Sequence, residues 1–194
     1  MITHIDGVLE EKNPAFAVID VNGIGYYLNI SLNTYSQLPE KGRVRLFTHL
    51  AIREDAHTLY GFHSKAEREM YRYLISVSGV GPSTARVVLS GMTPQECADA
   101  IVNEDVATFK RVKGIGAKTA ERVIVDLKDK VDGNIIDSQN LTSSGNTIKN
   151  EALTALVVLG IDKKKAEKVI SNALSKTEEE LSVEDLVKIT LKSL

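Results

Sequence analysis

Two matched stretches decide how this chain is organised: Val77-Ser78-Gly79-Val80-Gly81-Pro82-Ser83-Thr84-Ala85 and Val112-Lys113-Gly114-Ile115-Gly116-Ala117-Lys118-Thr119-Ala120. Both contain two glycines with a β-branched residue between them, followed by threonine and alanine at the same spacing. Val88 and Val123 continue the match one helical turn later. Because each stretch lies between segments with helical apolar periodicity, the repeat predicts two helix-hairpin-helix elements.

Each predicted hairpin has the residue types that bind an anion. The first glycine, Gly79 or Gly114, can take the left-handed conformation that ends a helix. The second, Gly81 or Gly116, leaves no Cβ between the backbone and an approaching ligand. The next helix begins with N–H groups that lack intrahelical acceptors, and such groups bind phosphate. Because phosphate contacts carry no base sequence, the pair predicts binding to the DNA backbone without sequence-specific readout.

The candidate DNA-binding residues are the glycines, the residues that they enclose and the polar residues of the adjoining helix ends. They are Gly79, Val80, Gly81, Ser83, Thr84, Lys113, Gly114, Ile115, Gly116, Lys118, Thr119 and Arg122. Val80 and Ile115 are also expected to pack into the core. Ala85 and Ala120 are small enough to let neighbouring helices cross closely.

The distribution of charge distinguishes the two hairpins. The formal net charge is −2, so DNA binding requires a local basic cluster. Basic residues surround the second stretch, at Lys110, Arg111, Lys113, Lys118 and Arg122. The first stretch has Arg86 as its close cation. We therefore expect the second hairpin to contribute more to affinity.

Two other interpretations of the repeat can be weighed from the sequence. A Gly-x-Gly turn can merely join two helices, but two copies with matching flanks argue against this alternative. Residues 116–119 resemble part of a P-loop. However, Ala117 stands where that motif needs glycine, and no strand is predicted before it. The chain is therefore expected to lack a Walker A motif.

Residues 1–63 are predicted to form a small β-barrel. An apolar run at 15–21 and an alternating segment from Tyr26 to Leu32 flank Asn22-Gly23, a dipeptide that favours a tight hairpin turn. Further strands are predicted at 44–52 and 59–62, and no helix is expected here. The pattern fits an OB-type barrel that contacts nucleic acid or a barrel that serves only as a scaffold.

The rest of the chain is predicted to be helical, giving an α+β multidomain fold. Residues 64–132 form the tandem helix-hairpin-helix domain, whose first helix is capped by Ser64. Residues 133–147 are rich in Gly, Ser, Asn and Thr, which predicts a flexible linker. Residues 148–194 form a three-helix domain whose last helix starts with Ser182 as N-cap and Asp185 at N3.

Composition excludes several classes of protein. No run of 18 apolar residues is present, so no membrane span is expected, and the N-terminus has no signal-peptide pattern. The lone cysteine, Cys97, cannot form an internal disulfide and is expected to be a small core residue, which fits the cytoplasm. The four histidines lack ligand-like spacing. Neither a metal site nor a cofactor is therefore predicted.

Nearly the whole chain resembles the RuvA family, the Holliday-junction-binding subunits of the bacterial RuvAB branch-migration complex. The resemblance rests on both Gly-x-Gly stretches, on residues 152–160, and on Gly23-Ile24-Gly25-Tyr26, Phe47-Thr48-His49, Arg53-Glu54-Asp55-Ala56 and Leu59-Tyr60-Gly61-Phe62. It implies an OB-fold barrel, a tandem helix-hairpin-helix domain and a C-terminal three-helix, UBA-like domain.

The resemblance also implies partners and a biological role. The family assembles as a homotetramer, or as two tetramers face to face in an octamer, and holds a four-way junction open and flat. Its C-terminal domain binds the hexameric ATPase RuvB, and a RuvC-type resolvase is a further expected partner. The chain is thus expected to be a non-catalytic subunit acting in homologous recombination and DNA repair, within the SOS response to DNA damage.

Glu54 and Asp55 acquire a role from the resemblance alone. They correspond to the family's acidic pin, which projects at the junction centre, and Arg53 beside them is a candidate phosphate contact. An ordinary exposed β-turn is the alternative interpretation. The sequence departs from the family pattern at Ser83 and Ala117, where relatives often carry lysine, and at Ile161, where an aromatic residue is common.

Two other function classes stay open from the sequence. Helix-hairpin-helix pairs also occur in nucleases and glycosylases, for which Glu54-Asp55 is the only candidate acidic pair. A purely architectural protein would bind duplexes and recruit no other protein.

Overall fold

The computed structural model describes residues 2–139, 144–176 and 182–193. The chain divides into two compact units, Met1–Asp132 and Gly133–Leu194. The first unit contains a β-barrel followed by a helical region, and the second is helical. This architecture confirms the predicted fold class. Among the described residues, no helix combines the length and the apolar character needed to cross a membrane.

The N-terminal part of the first unit is a closed five-stranded barrel. Its strands are β1 (His4–Asn13), β2 (Phe16–Val21), β3 (Ile24–Ile30), β4 (Gly42–Ile52) and β5 (His57–Phe62). The order around the barrel is β1-β2-β3-β5-β4, and β4 closes the barrel by pairing with β1. Only the β3–β5 pairing is parallel among these strands. Alternate residues point inward and form a core that includes Ile19, Leu28 and Leu46.

The hairpin predicted at Asn22-Gly23 is confirmed. Val21 pairs with Ile24, so the turn contains two residues, and their φ angles are 53° and 88°. Asparagine and glycine tolerate these positive values better than other residues, which is why this dipeptide favours the turn. The Gly23 amide also donates to the Asp20 carboxylate at 3.2 Å.

One short helix in the barrel region contradicts the prediction that residues 1–63 contain none. Helix α1 (Leu32–Gln37) connects β3 to β4, so Leu32 begins a helix and does not extend the preceding strand. The Ser31 hydroxyl caps this helix by accepting a hydrogen bond from the Thr34 amide at 3.0 Å. The alternating pattern does not mark this N-cap, which stabilises the helix by satisfying one of the N–H groups at its start.

The helical region of the first unit begins directly after the barrel. It consists of α2 (Lys65–Ser76), α3 (Pro82–Gly91), α4 (Pro94–Val102), α5 (Val106–Lys110) and the part of α6 (Ala117–Gln139) that lies before residue 133. Ser64 caps α2 as predicted, with its side chain accepting from the Glu67 amide. The apolar faces of these helices bury large side chains, including Tyr71, Leu89, Phe109 and Leu127.

A buried carboxyl group joins the helical region to the barrel. Glu67 on α2 is only 2% exposed, and it accepts hydrogen bonds from the hydroxyls of Ser31 and Thr34. The Thr34 hydroxyl oxygen in turn accepts from the His63 amide at 2.9 Å. Burial raises the pKa of Glu67, while these hydrogen bonds act in the opposite direction. The folded chain therefore binds a proton at Glu67 more tightly than the unfolded chain does.

This raised pKa predicts a pH dependence of stability. Proton binding at Glu67 adds to the free energy of unfolding. This added stability is fully present below the unfolded pKa of about 4.3 and is lost as pH rises through the folded pKa. Glutamine cannot ionise. We therefore expect Glu67→Gln to become more stable relative to the wild type as pH rises from about 4.5 to about 7. Urea unfolding across this range measures the difference, and a constant difference would contradict the prediction.

The second unit forms its own core from three helices. They are α7 (Ser144–Val158), α8 (Lys163–Lys176) and α9 (Val183–Ser193). Leu156, Ile170 and Leu186 are fully buried among them. At the start of α9, the Ser182 hydroxyl accepts from the Asp185 amide at 3.2 Å, and the Asp185 carboxylate accepts from the Ser182 amide at 3.4 Å, as predicted.

Residues 133–147 differ from the irregular segment that their composition predicts. Residues 133–139 continue α6, and residues 144–147 begin α7, while 140–143 lie outside the described residues. The interval contains no proline, and each of its two glycines costs a helix only about 1 kcal/mol. Helix extension gains one hydrogen bond per residue, which favours continuation from an existing helix. The flexibility of this interval and the predicted domain limits stay predictions.

Candidate nucleic-acid interface

The two predicted hairpins have the same backbone geometry. Gly79 and Gly114 take left-handed conformations, with φ of 96° and 95°. The amide after each glycine closes the turn, from Val80 to the Val77 carbonyl at 3.0 Å and from Ile115 to the Val112 carbonyl at 3.1 Å. Val80 and Ile115 are buried, as expected. The sequence repeat is therefore also a structural repeat.

Each turn presents the start of a helix to solvent. The first intrahelical bonds run from Ala85 to the Gly81 carbonyl and from Ala120 to the Gly116 carbonyl, both at 2.9 Å. The amides before them point out of the helix ends. A β carbon added at Gly81 or Gly116 would have no atom within 4 Å, so a ligand can approach the backbone here.

The number of amide donors differs between the hairpins. Pro82 is the first residue of α3 and has no N–H, so Ser83 and Thr84 supply the outward amides of the first hairpin. Helix α6 begins with Ala117, which adds an amide to those of Lys118 and Thr119. The second hairpin therefore offers one more backbone donor to an anion.

A threonine side chain of each hairpin faces the first glycine of the other hairpin. The Thr119 hydroxyl oxygen lies 3.3 Å from the point where a β carbon on Gly79 would stand, and its methyl carbon lies at 3.6 Å. Correspondingly, the Thr84 hydroxyl and methyl lie 3.7 Å and 3.8 Å from that point on Gly114. Both threonines are half-buried. The hairpins thus pack around an approximate two-fold axis.

Basic side chains concentrate at the second hairpin. Those of Lys110, Arg111, Lys113, Lys118 and Arg122 are all exposed. None of the five forms an ion pair with another described residue. Their charges therefore remain available to an anionic ligand placed at the exposed helix start.

The first hairpin has fewer cations than its sequence suggests. Arg86 is partly buried, and its guanidinium donates to the Ala15 carbonyl of the barrel at 2.8 Å. It holds α3 against the barrel and does not extend toward the exposed turn. Ser83 is the exposed polar side chain that remains at this helix start.

The acidic pair Glu54-Asp55 lies in the turn between β4 and β5. Both residues are exposed, and the Arg53 amide closes the turn by donating to the Ala56 carbonyl at 2.9 Å. The Arg53 side chain faces Asp55, with Nε 3.4 Å from a carboxylate oxygen. Such an exposed ion pair contributes little to stability.

The described residues contain no group of three or more side chains suited to a metal ion. Cys97 is fully buried, and burial raises the pKa of its thiol to about 12. The prediction that Cys97 is a core residue is therefore confirmed.

The sequence did not indicate the threonine contacts, the position of Arg86 or the buried Glu67. A signal for the first existed, because Thr84 and Thr119 occupy equivalent positions in the repeat. Equivalent residues of two packed copies often meet near their symmetry axis. Arg86 and Glu67 contact residues more than 30 positions away along the chain, and no local pattern marks such pairs.

Comparisons with known proteins agree with this architecture. The family model described as the RuvA N terminal domain matches residues 1–61. A SAM-like helix-hairpin-helix tandem model matches residues 71–129, and the RuvA C-terminal domain model matches residues 147–194. The helix-hairpin-helix tandem model covers both hairpins.

Full-length relatives extend the match to the whole chain. Proteins named Holliday junction branch migration complex subunit RuvA are 55% identical in Christiangramia forsetii and 50% identical in Flavobacterium psychrophilum, with all of both chains aligned. The Cytophaga hutchinsonii protein of the same name is 49% identical over 99% of each chain. On the three domain matches and this full-length identity, the chain belongs to the RuvA family.

Proposed function

We propose that this chain binds four-way DNA junctions by their structure and recruits the RuvB ATPase to move them. The observation that carries the proposal is the pair of matched hairpins, each presenting a helix start and an accessible glycine backbone. Family membership supplies the type of DNA, since the relatives are named as Holliday junction branch migration subunits. The biological setting is homologous recombination and DNA repair.

The hairpins are proposed to bind one phosphate group on each strand of a duplex arm. The outward amides and the glycines at positions 79, 81, 114 and 116 approach the phosphates, and Val80 and Ile115 fix the turns from the core side. Lys113, Lys118 and Arg122 supply positive charge at the second hairpin, whereas Ser83 contributes a hydroxyl at the first. We expect the second hairpin to contribute more to affinity because it has more cations and one more amide.

The acidic turn is proposed to act at the centre of the junction. Four copies of Glu54 and Asp55 in a homotetramer, or eight in an octamer, would place carboxylates where the strands cross. Their repulsion of phosphates disfavours a continuous duplex at this point and favours separated strands. Arg53 would exchange its partner Asp55 for a neighbouring phosphate.

The remaining assignments complete the proposal. The chain is a non-catalytic, cytoplasmic subunit, and ATP hydrolysis belongs to RuvB. Residues 1–63, 64–132 and 148–194 serve as barrel, DNA-binding domain and RuvB-binding domain, with 133–147 as linker. A RuvC-type resolvase is a further partner. Magnesium-dependent cleavage of a junction by the purified chain would contradict the non-catalytic assignment.

A competition gel shift tests the proposed function. We expect a synthetic four-way junction to displace the protein from a labelled junction at much lower concentration than linear duplex of the same sequence. In the same gels, Glu54→Gln/Asp55→Gln should keep junction binding, because the hairpins supply the affinity. Equal competition by linear duplex would contradict junction recognition, and loss of binding in the acidic variant would contradict the division of roles.

A further inference from the structure

Thr84 and Thr119 stand beside residues proposed to bind phosphate, but their side chains face the opposite hairpin. Thr84 and Thr119 lie in the first turns of α3 and α6, near the proposed phosphate sites, yet each side chain faces the first glycine of the opposite hairpin. Both glycines carry the left-handed bend that directs the following helix start. A threonine in one hairpin therefore stands next to the bend of the other.

We propose that Thr84 and Thr119 are positioning residues that fix the distance and angle between the two phosphate-binding hairpins. This inference rests on the proposed function and adds a substrate preference to it. β-Branched side chains have few χ1 rotamers, so the backbone fixes the position of a threonine side chain more closely than that of a flexible residue. Thr119 and Thr84 are the side chains nearest to the points where β carbons on Gly79 and Gly114 would stand, at 3.3 Å to 3.8 Å, so each threonine faces the bend of the opposite hairpin.

A fixed spacing selects the form of the duplex. B-form DNA has a minor groove about 6 Å wide, whereas an A-form helix has a wide and shallow one. The distance between phosphates on opposite strands differs accordingly. Two rigidly coupled hairpins can match only one of these distances, and the proposed ligand is a B-form arm contacted on both strands.

The threonine hydroxyls could also bind DNA directly, and the experiment must separate this role from the positioning of the hairpins. A threonine hydroxyl at a helix start could itself donate to a phosphate, and this role would give both residues a direct part in binding. Valine keeps the β-branched shape and removes the hydroxyl. Alanine removes the packing as well, but it is the best helix former, so the helix itself is maintained.

The test compares two four-way junctions, one with DNA arms and one whose arms are RNA–DNA hybrids with A-like geometry. The full chain is used as the wild type, as Thr84→Ala/Thr119→Ala and as Thr84→Val/Thr119→Val. The measured quantity is the ratio of the two dissociation constants. We expect the alanine pair to reduce the preference for DNA arms about threefold to tenfold, and the valine pair to retain it.

Cys97→Ala serves as a control for loss of packing, because it removes a buried side-chain atom from α4, outside both Gly-x-Gly stretches. It should leave the ratio unchanged even if it lowers the melting temperature. The inference is overturned if the alanine pair keeps the wild-type ratio, or if the valine pair loses it to the same extent. A wild-type chain with no junction preference would instead contradict the proposed function, so the two failures are distinguishable.

Discussion

Replacing Lys113 and Lys118 together with glutamine is expected to weaken junction binding about tenfold or more at moderate salt and to lower the salt slope of binding by about two for each subunit that contacts the junction. Each lysine that neutralises a phosphate releases condensed counterions, and each such contact contributes about 0.9 to the slope. Both side chains are exposed and free of ion pairs with the described residues. Their loss therefore removes contacts with DNA and disturbs no internal partner.

Fluorescence anisotropy of a labelled junction, titrated at several salt concentrations, measures both quantities. The matched control is Lys41→Gln/Lys130→Gln, which removes the same charge at exposed positions outside the hairpins. We expect this control to change the slope far less. An equal loss in both double variants would mean that general attraction, and not the second hairpin, dominates the affinity.

Gly7→Ala is expected to destabilise the barrel by about 3 kcal/mol, the upper part of the range for overpacked cores. A β carbon at Gly7 would stand 2.1 Å from the Asp20 carbonyl oxygen and 2.9 Å from side-chain carbons of Ile19 and Val21. The clash involves backbone, so a change of rotamer cannot relieve it. Strand β1 also cannot shift away, because it pairs with β2 on one side and β4 on the other.

Urea unfolding monitored by circular dichroism measures this effect. Gly91→Ala is the control, since a β carbon at the end of α3 would meet no atom within 4 Å. We expect this control to stay within about 1 kcal/mol of the wild type. Wild-type stability of Gly7→Ala would show that the strands can separate at this crossing, against the observed close approach.

Features with local causes could be predicted from the sequence. The Asn22-Gly23 turn depends on two residues, and the caps by Ser64 and Ser182 depend on side chains within one helical turn. The hairpins were predictable because the repeat fixes glycine, β-branched residue and helix start within a few positions. These local signals are sufficient to predict which backbone segments are candidates for binding an anion.

Features that depend on distant partners could not be predicted in this way. The sequence does not indicate helix α1, because Ser31 and Leu32 continue the alternation of the preceding strand and only the cap distinguishes a helix. The sequence places Arg86 beside the first hairpin as a cation for DNA, but the fold brings the Ala15 carbonyl to its guanidinium. The roles of the acidic turn were suggested by family resemblance, since an exposed Glu-Asp pair alone indicates only a turn.

The left-handed turns also limit how the two copies of the repeat can diverge. Positions 79 and 114 have φ of 96° and 95°, a conformation in which a residue with a β carbon is strained. Both copies therefore favour glycine there, whatever residues stand at positions 119 and 84. The two copies can still differ in their exposed charges, as Lys118 and Ser83 at equivalent positions illustrate.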